Sequence, residues 1–148
     1  MQKRLWEYLS AFLFGFFIYT MLEITGRGRT HWTMGVVGGA ALSVLYSMEG
    51  RLHAGRLTRA LLGAAFVTAA EFTAGVFDNL MMGWNVWDYS DRPFNILGQI
   101  CPLFSCVWVI LCYLASMFCT ALYMQFHPNV GKTYRNAETD VLPCTNAQ

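Results

Sequence analysis

Apolar residues gather into four stretches, at about 5–24, 32–48, 57–80 and 100–124, with polar, charged and turn-forming residues between them. Each is close to the roughly 20 residues a helix needs to cross about 30 Å of hydrocarbon, the second being the shortest. None alternates with the period of two that a barrel strand carries. Backbone polar groups in lipid must bond within their own segment, so the pattern predicts α-helices. The expected fold is all-α, a polytopic membrane four-helix bundle over residues 1–126. From His127 onward the chain has few apolar positions and no helical period, which predicts a flexible cytoplasmic tail over 127–148.

Composition points the same way. Of the 148 residues 55% are hydrophobic, 16% aromatic and 13% charged, a balance that a soluble domain of this size would struggle to bury, so the bilayer is the expected solvent. A net charge of +1 without a basic stripe gives no nucleic-acid partner. Lys3 and Arg4 precede the first stretch as in a signal peptide, yet no small-residue cleavage pattern follows and Glu23 closes it, so it is read as a retained span. Lys3, Arg4, Arg51, Arg56, Arg59, Lys132 and Arg135 fall on one side of the expected bundle, and Arg27, Arg29 and Arg92 on the other. The positive-inside rule then makes this a multi-pass cell-membrane protein with both termini cytoplasmic, and turns the TGRGRTHW and WDYSDRPFN connections outward.

Candidate chemistry starts with Glu71, in the middle of the third stretch. A charge at the bilayer centre costs on the order of 2.5 to 3.5 kcal/mol on insertion scales, so it is expected to face a bundle interior, a partner or a water-filled cavity. Asp78 lies seven positions on and shares its helix face, with Thr68 and Gly75 along the same stripe. The stripe fits a helix–helix interface, a proton or cation relay, or a polar solute path. In the long connection, Asp88, Asp91, Arg92 and Asn95 lie among Trp84, Trp87 and Tyr89, whose amphipathic rings suit an aromatic belt at headgroup level or a recognition surface. In the first connection, Glu23 stands one turn before Arg27, a local pair. Arg29 is a second cation that, if the two halves are related hairpins, reaches Asp78, Asp88 or Asp91, and His31 is read as an interfacial hydrogen-bonded histidine, with a proton-responsive group as the weaker alternative. The two halves also share a weak pattern, Glu23-Ile24-Thr25-Gly26 against Glu71-Phe72-Thr73-Ala74-Gly75, which two parallel-related hairpins or chance would produce.

Gly35, Gly39 and Ser43 at four-residue spacing predict close helix packing within the chain, with GxxxG dimerisation as the weaker reading. Cys101, Cys106, Cys112 and Cys119 form no CxxC or CxxH pair, which argues against zinc or a redox dithiol and fits small buried hydrophobes. Pro102 is expected to kink the last helix or to end a short re-entrant lead from Asn95. No GxSxG, HExxH, P-loop or GxGxxG pattern is present, so any ATPase is another chain and no cofactor or metal is implied.

The strings IYTMLEITGRGRTHWTMGVVGG and EFTAGVFDNLMMGWNVWDYSDRPFNILGQICPLFSCVW resemble the two halves of the bacterial family labelled putative ABC-transporter type IV, the segment Trp87 to Cys101 most specifically. The resemblance covers about residues 12 to 125. It implies an integral membrane protein of four or more helices with a permease-like partner, and no particular substrate. Taken with Glu71 and the outward loops, the expected function is that of a bacterial inner-membrane component, transporter-like or permease-associated, handling a small polar solute or ion. Its implied partners are the lipid bilayer and either further copies of the chain or separate transporter subunits. One departure is Val36-Val37-Gly38-Gly39, near where many relatives have Cys-Pro-Ile-Tyr-Gly. The competing class is a non-transporting structural or regulatory membrane subunit. An enzyme ranks third, because a carboxylate without a nucleophile or metal set defines no reaction.

Overall fold

A computed structural model of the chain describes residues 2–52 and 54–129. The tail expected at 127–148 lies outside the described residues from 130 onward. Four α-helices are present among the described residues, α1 (Gln2–Arg27), α2 (Trp32–Arg51), α3 (Arg56–Gly75) and α4 (Pro102–Phe126). They form a helical bundle, and α1, α4 and α3 with its extension to Met81 are long and apolar enough to cross a membrane. The outward faces fit that environment: Leu5, Leu13, Phe17, Leu61, Ile110 and Leu114 are all exposed, a surface that lipid rather than water would cover. The second stretch falls short of the same apolarity for a reason its position supplies. α2 packs against α1, α3 and α4 and so faces protein where its neighbours face lipid, which admits its glycines, Thr33 and Ser43.

Small residues set the closest contact in the bundle. A Cβ added at Gly15 of α1 would stand 2.7 Å from Leu42 Cβ and 3.0 Å from the Gly38 carbonyl carbon, and one added at Gly38 would stand 2.8 Å from the Gly15 oxygen. The two helices therefore touch backbone to backbone. Gly35 and Gly39 seat the rings of Phe16 and Phe12 from α1, so their spacing serves packing within the chain. At the end carrying the termini, buried polar groups tie the helices together. The Tyr46 hydroxyl donates to Glu7 at 2.9 Å, the Thr120 hydroxyl donates to Glu49 at 2.9 Å, and Arg59 pairs with Glu49. These bonds reach from α2 to α1, α4 and α3 in turn.

Two expectations about the second half need correction. The third stretch is α-helical only to Gly75 and continues as a π-helical turn, Val76–Met81. Pro102 occupies the first turn of α4, where an amide hydrogen would have no helical partner, so it begins the helix instead of kinking it. Residues 95–101 fold as turns, with Gln99 N–H bonded to Ile96 O and Ile96 N–H to Ile100 O, and are not a re-entrant helix.

Replacing Gly38 by Val forces side-chain atoms into α1 and should lower the unfolding free energy in detergent micelles by roughly 1–3 kcal/mol. Gly26→Ala, whose new Cβ meets nothing within 4 Å, should leave the transition where it is or raise it slightly. Equal curves for Gly38→Val and wild type would contradict the backbone contact.

Candidate functional site at the loop end

The end opposite the termini carries the short α1–α2 turn and the long loop from Met82 to Cys101. Most of the candidate residues meet there. The π-helical turn leads into the loop with Asp78 and Asn79 both buried. Asn79 is the loop's anchor: its amide nitrogen donates to Trp87 O at 2.9 Å and to Gln99 Oε1 at 2.7 Å, and its oxygen accepts the Val86 N–H at 2.6 Å. Trp87 closes the fold by donating its indole N–H to Gln99 O at 2.9 Å. Asn95 donates to Ser90 O and Arg92 O and accepts from Gly98 N–H, so it holds the loop's shape. Gly98 has φ +68°, and a Cβ there would meet Asp88 Oδ1 at 2.7 Å, which leaves the position to glycine.

The loop folds down so that Tyr89 reaches Glu71. Glu71 is 2% exposed; its Oε2 accepts the Trp108 indole N–H at 2.8 Å and its Oε1 faces the Tyr89 hydroxyl at a long 3.4 Å. Tyr89 accepts from Arg27 Nη2 at 2.5 Å, and Arg27 Nη1 donates to Glu23 Oε1 at 3.1 Å. The Thr30 hydroxyl completes Glu23 at 2.6 Å. One continuous set of bonds thus runs from Glu23 through Arg27, Tyr89 and Glu71 to Trp108, joining α1, the loop, α3 and α4. Both Glu71 oxygens face donors, so the buried side chain finds its partners within the protein. Burial, followed by the Glu71 charge, pushes the Tyr89 phenol above its usual value, against the opposing pull of Arg27. The phenol therefore keeps the proton it donates.

A second polar set is separate from the first. Asp78 is fully buried; its Oδ2 accepts from the Thr33 hydroxyl at 2.5 Å, and Thr33 Oγ1 lies 2.8 Å from His31 Nδ1. Since the hydroxyl gives its one proton to Asp78, the His31 nitrogen facing it is the protonated one. Asp78 Oδ1 has no hydrogen-bond partner among the described residues. The shared stripe expected of Glu71 and Asp78 thus resolves into two clusters with different partners, Asp78 lying in the π-turn.

Two clefts open beside these sets. One, about 170 Å³, lies between Glu23, Arg27, Arg29, His31 and Trp84. The other, about 370 Å³, lies between Arg27, Arg29, Asp88, Tyr89, Arg92 and Phe104. Arg29 pairs with none of Asp78, Asp88 and Asp91, the carboxylates open to it in the related-hairpin reading: neither its guanidinium nor that of Arg92 makes a hydrogen bond or ion pair with another described residue. Asp88 instead accepts from the Ser90 hydroxyl at 2.5 Å and the Ser90 N–H at 2.8 Å, which hold its carboxyl below the usual aspartate range. Asp91 is exposed and lines neither cleft. The aromatic belt is smaller than expected as well. Trp84 is 41% exposed, whereas Trp87 and Tyr89 are 4% and 6% exposed and belong to a second core with Met34 and Cys101.

Sequence reasoning gave no role to Trp108, Thr33, Asn79 or Gln99. Trp108 carried a usable signal, an indole N–H about two turns into a span, too deep for the headgroup level and in need of an acceptor. The chain matches the family model described as putative ABC-transporter type IV over residues 32–144, which begins at α2 and leaves α1 outside the match. No curated protein and no solved structure matches it.

Tyr89→Phe removes the hydroxyl between Arg27 and Glu71 and leaves one oxygen of a buried carboxylate unpaired. It should cost about 1–3 kcal/mol of stability in detergent micelles, while Tyr113→Phe, on the exposed side of α4, should change little. The raised Tyr89 phenol adds a sign: its contribution is complete below the ordinary value of about 10 and declines as pH rises through the folded value. Wild type should therefore lose more stability above about pH 10 than Tyr89→Phe does. Separately, Ser90→Ala removes one of two donors to Asp88, and carboxyl-carbon NMR titration should move its pKa upward toward the ordinary value. An unmoved Asp88 would rule out the Ser90 hydroxyl as the cause.

Proposed function

We propose a function from one premise: the chain belongs to the putative ABC-transporter type IV family. It is a transport-associated membrane component that takes a small anionic solute at the loop end and works with separate transporter subunits or further copies of itself. The observation that carries the reading is the 370 Å³ cleft, where Arg27, Arg29 and Arg92 face one carboxylate, Asp88, that two Ser90 donors already engage. Arg29 and Arg92 are exposed and uncommitted, and guanidinium groups recognise carboxylate and phosphate with paired donors. The basic residues gathered toward the terminal end support cytoplasmic termini in the cell membrane, which turns the cleft outward.

A structural role fits the deep carboxylate better than a solute path does. Both oxygens of Glu71 are engaged by donors that hold α3 to α4 and to the loop. Glu71 and Asp78 then brace the bundle beneath the cleft, and the solute meets the arginines.

The test is thermal stability in detergent with millimolar glycerol 3-phosphate or inorganic phosphate, and glycerol as the neutral comparison. Both anions should raise the wild-type midpoint. In the Arg29→Gln/Arg92→Gln double variant the concentration needed should rise at least about tenfold, since each charged hydrogen bond contributes roughly 1.5–3 kcal/mol. No anion-dependent shift in wild type, or an equal shift in the double variant, would overturn the reading.

A further inference from the structure

Below the arginine cleft the bundle is open on one side. An apolar groove of about 350 Å³ has exposed walls, Ile18 and Leu22 of α1 and Leu114 and Phe118 of α4, and a floor that includes Gly38 and Leu42 of α2. Two ring contacts between α1 and α4 frame it. Phe14 and Phe118 meet edge to face at 5.4 Å on the side toward the termini, and Tyr19 stacks on Trp108 at 5.5 Å on the side toward the loops. The groove therefore opens between two helices whose outer faces meet lipid.

Its relation to the arginines gives it a second half. Leu22 and Ile18 lie five and nine residues below Arg27 on α1, about 7 and 13 Å along the helix. One leaflet supplies about 15 Å of hydrocarbon, half of roughly 30 Å. On α4, Phe104 of the arginine cleft and Trp108 of the groove are one turn apart. A cationic mouth and an apolar groove are thus stacked at the separation that divides the phosphate of a lipid from the middle of its acyl chain.

We propose that the groove between α1 and α4 takes one acyl chain of an anionic phospholipid whose phosphate lies against Arg27, Arg29 and Arg92. The proposal rests on the reading of the arginine cleft as an anion site and makes its anion the head of an amphiphile. Charge complementarity selects the head, and the groove's largely apolar lining selects a tail over a soluble solute. A zwitterionic lipid would bring its own cation against the guanidinium groups.

The purified full-length protein in detergent would be titrated with dioleoyl phosphatidylglycerol, its dihexanoyl analogue, dioleoyl phosphatidylcholine and glycerol 3-phosphate, with bound lipid read by native mass spectrometry. Dioleoyl phosphatidylglycerol should bind at least about tenfold more tightly than the other three. Arg29→Gln/Arg92→Gln should remove that preference over phosphatidylcholine. Ala115→Phe, which fills the groove, should remove the preference over the dihexanoyl chain, and Val109→Phe on another face should keep both. Circular dichroism checks the fold of each variant, and the chain-length series on wild type stands without any of them.

Equal binding of glycerol 3-phosphate and the dioleoyl lipid, with sensitivity to the arginines, would overturn the lipid and leave the anion site. Chain-length dependence that ignores the arginines would overturn both the proposal and the anion site. Equal binding of phosphatidylglycerol and phosphatidylcholine would mean annular lipid only and would overturn the proposal.

Discussion

A carboxylate two-thirds of the way along a membrane helix has to be satisfied by protein, and much of the loop-end architecture follows from meeting that need at Glu71. No basic side chain among the described residues bonds to it directly. Trp108 supplies one donor from α4 and Tyr89 supplies the other from the loop. For Tyr89 to arrive, the loop must fold inward, and that withdraws the Trp87 and Tyr89 rings from the lipid interface. Arg27 brings one cation from one bond further out, shared between its Glu23 pair and the Tyr89 hydroxyl, and lies over the face of the Tyr89 ring at 5.6 Å. That cation sits at the rim, where a guanidinium is far less costly to desolvate than at the bilayer centre.

The loop's descent depends on the turn that precedes it. Asn79 organises three loop groups at once, and it is buried beside Asp78 in the π-helical turn that follows Gly75. The same turn supplies Trp84 N–H with the Asp78 carbonyl at 2.8 Å. The end of the span thereby becomes a polar scaffold in which the Asn79 amide is bonded to the loop and one Asp78 oxygen to Thr33.

Apolar runs made α1, α3 and α4 legible because a span must be apolar over a fixed length, and that constraint acts on every residue of it; α2, packed against the other three, showed only a shorter run. Glu71 and the Glu23–Arg27 pair were legible for a related reason, since charge in or near hydrocarbon is costly enough to need a local cause. What stayed hidden was partner choice. Arg29 and Arg27 differ by two positions, and nothing in composition says that Arg27 points at the loop while Arg29 stays free. The loop's fold was hidden too: Trp87 and Tyr89 carry the signature of interface rings, yet bonds from Asn79 and to Gln99, 8 and 12 residues away in the chain, bury them. Long-range hydrogen bonds leave no period to read.

The two kinds of polar residue at the loop end also differ in what they are free to do. Glu71, Tyr89, Asn79, Trp87 and Asn95 have their bonding capacity largely used within the chain, and any solute that competed for them would loosen the bundle. Arg29 and Arg92 have no such commitments, and their carboxylate neighbour Asp88 is already held by Ser90. A binding surface assembled from these residues can gain and release an anion without breaking a bond that the fold requires. The deep carboxylate makes the mouth rigid, and the rim arginines remain available to a ligand.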